Sequence, residues 1–223
     1  MTRKKLLNMQ TSKVLKEIYK RLYDFFGPQN WWPAETPFEV CVGAILTQNA
    51  SWKNVEKAIN NLKQKNLLDP FKLYSIPTDE LAKLIRSCGF YNLKAKRLKN
   101  FLKVLVEEFD GKLENIFALG LEKAREKLLQ IKGLGKETVD SILLYAGNLP
   151  IFVVDAYTYR ILFRHGLIPE EVTYDEIQEL FMSNLEPDPK LFNEYHALLV
   201  KCGKTYCKNK NPLCKTCPLN SIS

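Results

Sequence analysis

The stretch that decides the fold is residues 129–146, which have the sequence LQIKGLGKETVDSILLYA. The pattern indicates that one helix ends just before Gly133 and that a second helix starts directly after Gly135. Glycine at both positions permits backbone angles that a β-carbon would strain, and it lets an outside group come close to the main chain. The stretch therefore predicts a hairpin in which a Gly-Leu-Gly turn joins two helices.

The first amides of the second helix give this hairpin a candidate ligand. They lack partners inside the helix and point outward with the positive end of the helix dipole, so a phosphate group suits them. An ordinary helix end followed by a new helix also produces Gly-x-Gly, but the longer string that continues through Thr138 is more specific. We expect this turn to bind the backbone of a nucleic acid through Lys132, Gly133, Leu134, Gly135 and Lys136.

Helical patterns extend over nearly the whole chain. Apolar side chains recur at helical spacing in residues 12–26, 37–46, 53–65, 79–87, 93–109, 121–130, 136–146, 156–164, 174–182 and 189–200. The β-branched run at residues 151–154 is short and isolated, so we expect a buried connector there. The predicted fold class is all-α, with two interlocked helical domains. Residues 29–149 form the hairpin domain and residues 1–28 plus 150–223 form the second domain, with the active site in the cleft between them.

Composition and charge narrow the class of protein. The 223 residues are 46% hydrophobic, which suits a packed core, and the formal net charge is +8. Such a charge suits a polyanionic partner, although a solvated lysine face gives the same value. No apolar run reaches the length of a membrane span, and no apolar segment follows the basic residues 1–5. We expect a cytoplasmic, nucleoid-associated monomer without a membrane partner.

Asp155 is the candidate catalytic residue. It follows a buried apolar run and precedes a helix, a position in which aspartate commonly caps the helix. It also lies 20 residues after Gly135 of the hairpin, which makes it a candidate to act on a nucleotide sugar. Cleavage of an N-glycosidic bond builds positive charge on that sugar, which a fixed carboxylate stabilises while it orients or deprotonates water.

The hairpin followed by Val154-Asp155 resembles the helix-hairpin-helix DNA glycosylases, whose best known branch is endonuclease III. The resemblance extends over roughly residues 29–217. Three strings are similar to the 3-methyladenine DNA glycosylase III type: WWP at residues 31–33, GAILTQN at residues 43–49 and GFYNLKAKRL at residues 89–98. The resemblance implies base excision repair of double-stranded DNA with a damaged base, and it implies that Asp155 is catalytic.

Glu137 departs from the endonuclease III pattern. Lyases of that branch carry a catalytic lysine directly before the hairpin threonine, and this chain has Glu137 there. A carboxylate cannot form the Schiff base that lyase chemistry needs, and Lys136 points about 100° away on a helix. The sequence therefore predicts a monofunctional glycosylase, in which water is the nucleophile and an abasic site is the product.

Three tryptophans form the candidate base pocket. Trp31, Trp32 and Trp52 are all the tryptophans of the chain, and core packing is the alternative explanation for them. Hydrolysis without an evident general acid suits a base that leaves readily, such as an N3- or N7-alkylated purine. Such a base is cationic and binds electron-rich aromatic faces. In the resembling subgroup, aromatic residues at matching positions sandwich the alkylated base. We therefore expect 3-methyladenine or a related base as the substrate.

Two further polar groups have open interpretations. Gln48 and Asn49 match the position where the superfamily fills the gap left by a flipped nucleotide, and capping of a helix is the alternative for Asn49. A predicted helix also carries a cluster of basic residues that either contact phosphates or form a solvated face. This cluster consists of Lys94, Lys96, Arg97 and Lys99.

Four cysteines near residue 210 indicate a metal site. Cys202, Cys207, Cys214 and Cys217 lie within sixteen residues, and four thiolates suit either zinc or a [4Fe-4S] cluster. The spacing from Cys207 to Cys217 resembles the iron–sulfur loop of endonuclease III, so we favour [4Fe-4S]. The fourth ligand of that family would be position 223, which is Ser223 here, and Cys202 is the substitute. Cys41 and Cys88 are expected to be ordinary buried thiols.

Two other functions remain open on the sequence. One is an endonuclease III-like glycosylase for mismatched or oxidised pyrimidines, against which Glu137 and the tryptophans argue. The other is a DNA-binding module that uses the hairpin without catalysis. A substrate panel separates the first from an alkylpurine glycosylase, and the Asp155→Asn variant separates the second.

Overall fold

The computed structural model describes residues 3–222, and for residues 3–9 it describes the backbone alone. Within this range the regular structure is helical throughout, which confirms the all-α prediction. The α-helices are α1 (Arg3–Phe26), α2 (Pro37–Thr47), α3 (Trp52–Gln64), α4 (Pro70–Ser75), α5 (Thr78–Leu84), α6 (Tyr91–Phe109), α7 (Leu113–Phe117), α8 (Leu121–Leu129), α9 (Lys136–Ser141), α10 (Ala156–Arg164), α11 (Tyr174–Met182) and α12 (Pro189–Thr205). Single turns of other helix types occur at Arg86–Cys88, Ile142–Ala146 and Cys214–Thr216.

The helices largely follow the predicted segments, with three informative differences. The sequence pattern missed α4 and α7, which are too short to show a helical period. Helix α12 continues five residues beyond the predicted end at residue 200, so Cys202 lies on the helix. Hairpin helix α9 passes into a π-helical turn at Ile142–Ala146. Within residues 3–222, no helix has the length and apolar character that a membrane span requires.

The chain divides into two compact units, one of which is residues 32–149. Helix α2 is its central element, because every residue from Phe38 to Leu46 is buried. The helix begins where the Thr36 side chain accepts a hydrogen bond from the Glu39 amide and where Pro37 supplies the first position. Helices α3, α6 and α9 and the π-helical turn pack around α2. The unit therefore holds the end of α2 and the hairpin in one core.

The second unit combines residues 1–31 with residues 150–223. Phe152 stacks on Phe181 at 3.7 Å between ring centroids, and Tyr195 packs edge-on against both rings. The Tyr195 hydroxyl donates a 2.8 Å hydrogen bond to the Leu15 carbonyl, which fixes α1 against α12. Residues 151–154 are buried and form no strand, which confirms the predicted connector. Asp155 therefore begins α10 directly after a rigid, buried segment.

Candidate active site

Asp155 is the N-cap of α10. Its Oδ1 accepts hydrogen bonds from the Thr158 amide at 2.7 Å and from the Thr158 hydroxyl at 2.9 Å. The Asp155 side chain is only 12% exposed. The structure thus shows the capping role in full, and it also shows a carboxylate that is held in one orientation by its own helix.

His196 of α12 is the neighbour of Asp155 across the site. Its Nε2 lies 3.6 Å from Asp155 Oδ2, and the imidazole is buried. Burial acts to raise the pKa of the Asp155 carboxyl group, but His196 and the two hydrogen bonds from Thr158 outweigh it and lower that pKa below its usual value. Asp155 is therefore a carboxylate at neutral pH.

The two hairpin glycines differ in what their backbones require. Gly133 has φ +101°, in the left-handed region, and a β-carbon there would overlap Cγ of Arg97. Gly135 has φ −96° and ψ 173°, which any residue adopts, and a β-carbon there would meet open space. The expectation of a strained backbone at both positions is wrong for Gly135, because the turn is complete after Gly133. Lys132, Gly135 and Lys136 are exposed, Gly133 is half-buried and Leu134 is buried.

Gln48 and Asn49 follow α2 and have different surroundings. The Gln48 amide nitrogen donates to the Thr138 hydroxyl at 2.9 Å and to the Gly133 carbonyl at 3.2 Å. The Gln48 amide oxygen accepts a hydrogen bond from the Arg97 guanidinium. Asn49 is exposed and has a left-handed backbone with φ 51°. Gln48 is therefore fixed to the hairpin, whereas Asn49 is presented to solvent.

Two basic residues of α6, Lys94 and Lys99, bind protein carbonyls. Lys94 is 1% exposed, and its ammonium group donates 2.7 Å hydrogen bonds to the carbonyls of Leu46 and Cys88. Burial lowers the pKa of Lys94. Lys99 donates to three carbonyls at the end of α4, those of Leu73, Tyr74 and Ile76. Neither of the two alternatives describes Lys94 and Lys99, because both ammonium groups are bound by the protein. Lys96 is exposed and Arg97 is half-buried.

Trp32 and Trp52 form an aromatic corner in the unit of residues 32–149. Their ring centroids are 5.3 Å apart at 88°, and Tyr145 packs on Trp32 at the same centroid distance and 46°. Since Trp32 and Trp52 are in edge-to-face contact, they leave no space for a base between them. Trp31 belongs to the other unit, where Lys204 lies over its ring at 5.8 Å. All three tryptophans are half-buried.

Glu137 and Lys136 occupy the first turn of α9. Both side chains are exposed, and the following Thr138 is buried. The position directly before the hairpin threonine is thus a solvent-facing carboxylate, as the sequence indicated.

The four cysteines of the predicted metal site line a single cavity of about 210 Å³. The sulfurs of Cys202 and Cys217 are 3.8 Å apart, and the hydrogen bond from the Cys202 thiol lowers the pKa of Cys217. The Arg164 guanidinium donates to the sulfur of Cys207 at 3.3 Å. No three potential ligands within residues 3–222 converge closely enough to hold a single ion. Ser223 lies outside the described residues.

The chemistry of this donor set suits a thiolate-bound metal group. Four cysteines line the same cavity, Cys202 and Cys217 form a close pair, and Cys207 accepts a hydrogen bond from Arg164. Four thiolates suit either a [4Fe-4S] cluster or a zinc ion. Cys41 is fully buried in α2 and Cys88 is buried at the turn before α6, as expected of thiols outside a metal site.

Two residues of these sites, and one exposed residue outside them, had little or no signal in the sequence. His196 lies 41 positions after Asp155, and no motif links the two residues. Tyr145 joins the aromatic corner at the π-helical turn, a helix type that the apolar pattern does not distinguish from an α-helix. Phe90 is 71% exposed with a left-handed backbone at φ 44°; only its place beside Gly89 hinted at a turn.

Comparison with known proteins agrees with this architecture. Residues 42–187 match the model of the HhH-GPD superfamily of base excision DNA repair proteins. A protein of Methanocaldococcus jannaschii, named as a DNA repair glycosylase, is 53% identical over 94% of this chain and 96% of its own length. Endonuclease III of Thermotoga maritima is 29% identical over 94% of this chain and 90% of its own.

One solved structure is also similar in sequence. The 3-methyladenine DNA glycosylase of H. pylori, in complex with 1,N6-ethenoadenine, aligns with a TM-score of 0.75 and 31% identity. The alignment covers 87% of this chain and 97% of that one. The chain therefore belongs to the HhH-GPD superfamily of base excision repair proteins. It is a DNA glycosylase of the endonuclease III-like group.

Proposed function

We propose that the protein is a monofunctional glycosylase that hydrolyses the N-glycosidic bond of an alkylated purine such as 3-methyladenine in double-stranded DNA. The observation that carries the proposal is Glu137, an exposed carboxylate directly before the hairpin threonine. A Schiff base needs an amine at that place. Lys136 is one residue earlier on the helix and is therefore rotated by about 100°. Water is then the nucleophile, and the product is an abasic site.

Asp155 is the proposed catalytic residue. The bond to the base breaks as positive charge develops on the sugar, and a fixed carboxylate stabilises that charge. The lowered pKa of Asp155 keeps the group ionised and makes it a weak base. Both properties favour electrostatic stabilisation of the sugar and orientation of water over removal of a proton in the rate-limiting step.

The proposed DNA contacts lie at the hairpin and at the loop after α2. The exposed Lys132 and Lys136 flank the turn, and Gly135 leaves open space at its α-carbon for a phosphate oxygen. Asn49, which is exposed at the end of a rigid segment, is the proposed side chain that fills the gap left by the flipped nucleotide. Gln48 is already engaged by the protein and is not proposed for that role.

The aromatic corner supports an alkylated base as the substrate. Trp32, Trp52 and Tyr145 offer electron-rich faces, which attract a cationic ring by about 0.5–2 kcal/mol. An N3- or N7-alkylated purine carries that charge and leaves without prior protonation. The similar glycosylase of H. pylori is named for 3-methyladenine. Trp31 is also proposed as a contact to the base.

A substrate panel tests the proposal. We expect the purified protein to release methylated purines from duplex DNA and to leave uracil, thymine mismatches and oxidised pyrimidines in place. Incubation with borohydride should give no covalent adduct, and the strand should stay intact until alkali or an abasic-site nuclease is added. Release of an oxidised pyrimidine, or a trapped adduct that disappears in Lys136→Ala, would contradict the proposal.

We further propose that Cys202, Cys207, Cys214 and Cys217 hold a [4Fe-4S] cluster. Such a cluster, when bound, cross-links the cysteine loop to α12 and contributes to folding. Hydrolysis of an N-glycosidic bond changes no oxidation state, so the proposed step takes no electrons from the cluster. Iron by elemental analysis, with broad absorption at the blue end of the visible range, tests the proposal, and stoichiometric zinc without iron would overturn it.

A further inference from the structure

A polar stripe along α6 holds three loops of the unit of residues 32–149. Lys94, Arg97 and Asn100 are spaced three apart and therefore lie on one side of the helix. Lys94 binds the carbonyls of Leu46 and Cys88, and Asn100 donates to the Lys132 carbonyl at 2.8 Å. These carbonyls belong to the end of α2, the turn before Phe90 and the hairpin.

Arg97 is the central residue of this stripe. Its guanidinium donates to Gln48, and its aliphatic part packs so tightly on Gly133 that no β-carbon fits there. Gln48 in turn donates to the Gly133 carbonyl and to the Thr138 hydroxyl. Arg97, Gln48, Gly133 and Thr138 thus form one connected group, which we call the brace.

The charge of Arg97 is unusual in this position. The guanidinium is half-buried and forms no ion pair within residues 3–222, and its buried Nε has no hydrogen-bond partner there. Removal of a cation from water costs free energy that a neutral amide returns only in part. Stability alone therefore does not account for this arrangement, which points to a role in the geometry of the site.

We propose that Arg97 and Gln48 are positioning residues that lock the hairpin to the loop bearing Asn49. The inference rests on the proposed function. The hairpin fixes the position of the DNA backbone, and Asn49 follows Gln48 directly, so the brace sets the distance between the phosphate grip and the side chain that enters the duplex. Without the brace, both elements still bind DNA, but the insertion of Asn49 loses its register.

The effect should appear in the rate of base release rather than in DNA affinity. A misplacement of about 1 Å in a catalytic assembly costs up to about 100-fold in rate. We therefore expect Arg97→Met and Gln48→Ala each to lower the single-turnover rate on a methylated-purine duplex by about 10- to 100-fold. The dissociation constant for undamaged duplex should stay within about twofold of wild type, because the phosphate contacts remain.

Two further variants distinguish positioning from folding and from charge. The double variant Gln48→Ala/Arg97→Met should be about as slow as the slower single variant, because both substitutions break the Arg97–Gln48 contact of one connected group. Arg97→Lys keeps a donor for Gln48 and should recover part of the rate. Lys103→Gln, which removes an exposed charge from the same helix, is the matched control and should leave the rate unchanged.

A probe of unstacking makes the test independent of the chemistry. A 2-aminopurine next to the lesion brightens when the neighbouring nucleotide is extruded, and we expect a smaller and slower signal in both single variants. Rates and signals equal to wild type would overturn the inference. Arg97→Met could instead weaken binding to all DNA and reduce, by about one, the slope of log binding constant against log salt concentration. That result indicates a phosphate contact and would also overturn the inference. If wild type releases no methylated purine, the proposed function fails, and the 2-aminopurine signal alone still decides on the brace.

Discussion

Asp155 is both a helix cap and the proposed catalytic carboxylate, and one substitution separates the two roles. Asparagine caps a helix as well as aspartate does, so Asp155→Asn keeps the hydrogen bonds from Thr158. It removes the negative charge that stabilises the sugar, and we expect base release to fall by at least about 100-fold. The melting temperature and the affinity for DNA should change little.

The control for Asp155→Asn is another aspartate in the same structural position. Asp69 caps α4 by accepting a hydrogen bond from the Lys72 amide, so Asp69→Asn makes the same chemical change elsewhere. It should leave base release at the wild-type rate. If Asp155→Asn kept full activity, the chain would not use this carboxylate in catalysis, and a DNA-binding role for the hairpin alone would be favoured.

We expect His196 to determine how far into acid the site remains active. Because the pKa of Asp155 is lowered in the folded protein, this carboxylate contributes stability above its unfolded pKa, and the contribution is lost as pH falls through the folded pKa. Activity that needs the ionised form follows the same titration. His196→Gln removes the imidazole, so the acid limb of the single-turnover rate should move to higher pH.

The second histidine of the chain is the control for this prediction. His165 contacts the Ile222 carbonyl rather than Asp155, so His165→Gln should leave the acid limb in place. An acid limb in His196→Gln that coincides with that of wild type would mean that Thr158 alone lowers the pKa of Asp155.

At the scale of elements, the hairpin offers a matched pair of glycines. Gly133→Ala forces a β-carbon into a left-handed residue and against Arg97, so we expect a loss of about 1–3 kcal/mol of stability. Gly135→Ala meets open space at an ordinary φ and should fold like wild type. If a phosphate approaches Gly135, the added methyl group occupies that space. The variant should then bind DNA more weakly although its stability is unchanged. Thermal melting and fluorescence anisotropy measure the two effects.

Equal stability of the two alanine variants would contradict the difference in backbone geometry. Wild-type affinity of Gly135→Ala for DNA would argue that the phosphate contacts lie elsewhere on the hairpin.

Local patterns predicted the longer helices because each of them buries one face over several turns. Helices α10 and α11 begin and end where the pattern indicated. Helices α4 and α7, with six and five residues, expose too short a pattern for any period to appear. Gly135 was misjudged because the string Gly-Leu-Gly does not reveal which glycine takes the left-handed angle.

Contacts between distant residues are what the sequence could not supply. Arg97 meets Gln48 across 49 positions, and Gln48 meets Thr138 across 90. Trp31 and Trp32 are adjacent in sequence but belong to different compact units. Asp155 and the four cysteines belong to sequence motifs, and the sequence therefore predicted them as candidate site residues. His196 was missed because only folding brings it close to Asp155.

At the scale of the molecule, one unit is assembled from both ends of the chain. Ser12 donates to the Asn184 carbonyl at 2.8 Å, and the Gln29 amide donates to Glu194 at 2.7 Å. Closure of so long a loop costs entropy that these contacts and the aromatic core must offset. The cysteine loop is fixed separately, because Arg160 and Arg164 of α10 bind its backbone and Cys202 belongs to α12.

This arrangement predicts the effect of losing the proposed cluster. Removal of the metal should free the loop from α12 but leave the contacts between α1 and α12 in place. We therefore expect a melting temperature that is lower by several degrees, since about 1 kcal/mol shifts it by roughly 2–4 °C in a chain of this size. Circular dichroism should show nearly unchanged helix content at low temperature.

Iron content and melting temperature of cysteine variants decide whether Cys202 completes the ligand set. Cys202→Ser should lower the iron content and the visible absorption of the purified protein together with its melting temperature, whereas Cys41→Ala, which changes a buried thiol of α2, should keep full iron. A Cys202→Ser protein with wild-type iron would show that the fourth ligand comes from another residue. Because Cys202 lies on the last turns of α12, its ligation would explain why the helix extends past the predicted end, and a helix shortened in the variant would support that explanation.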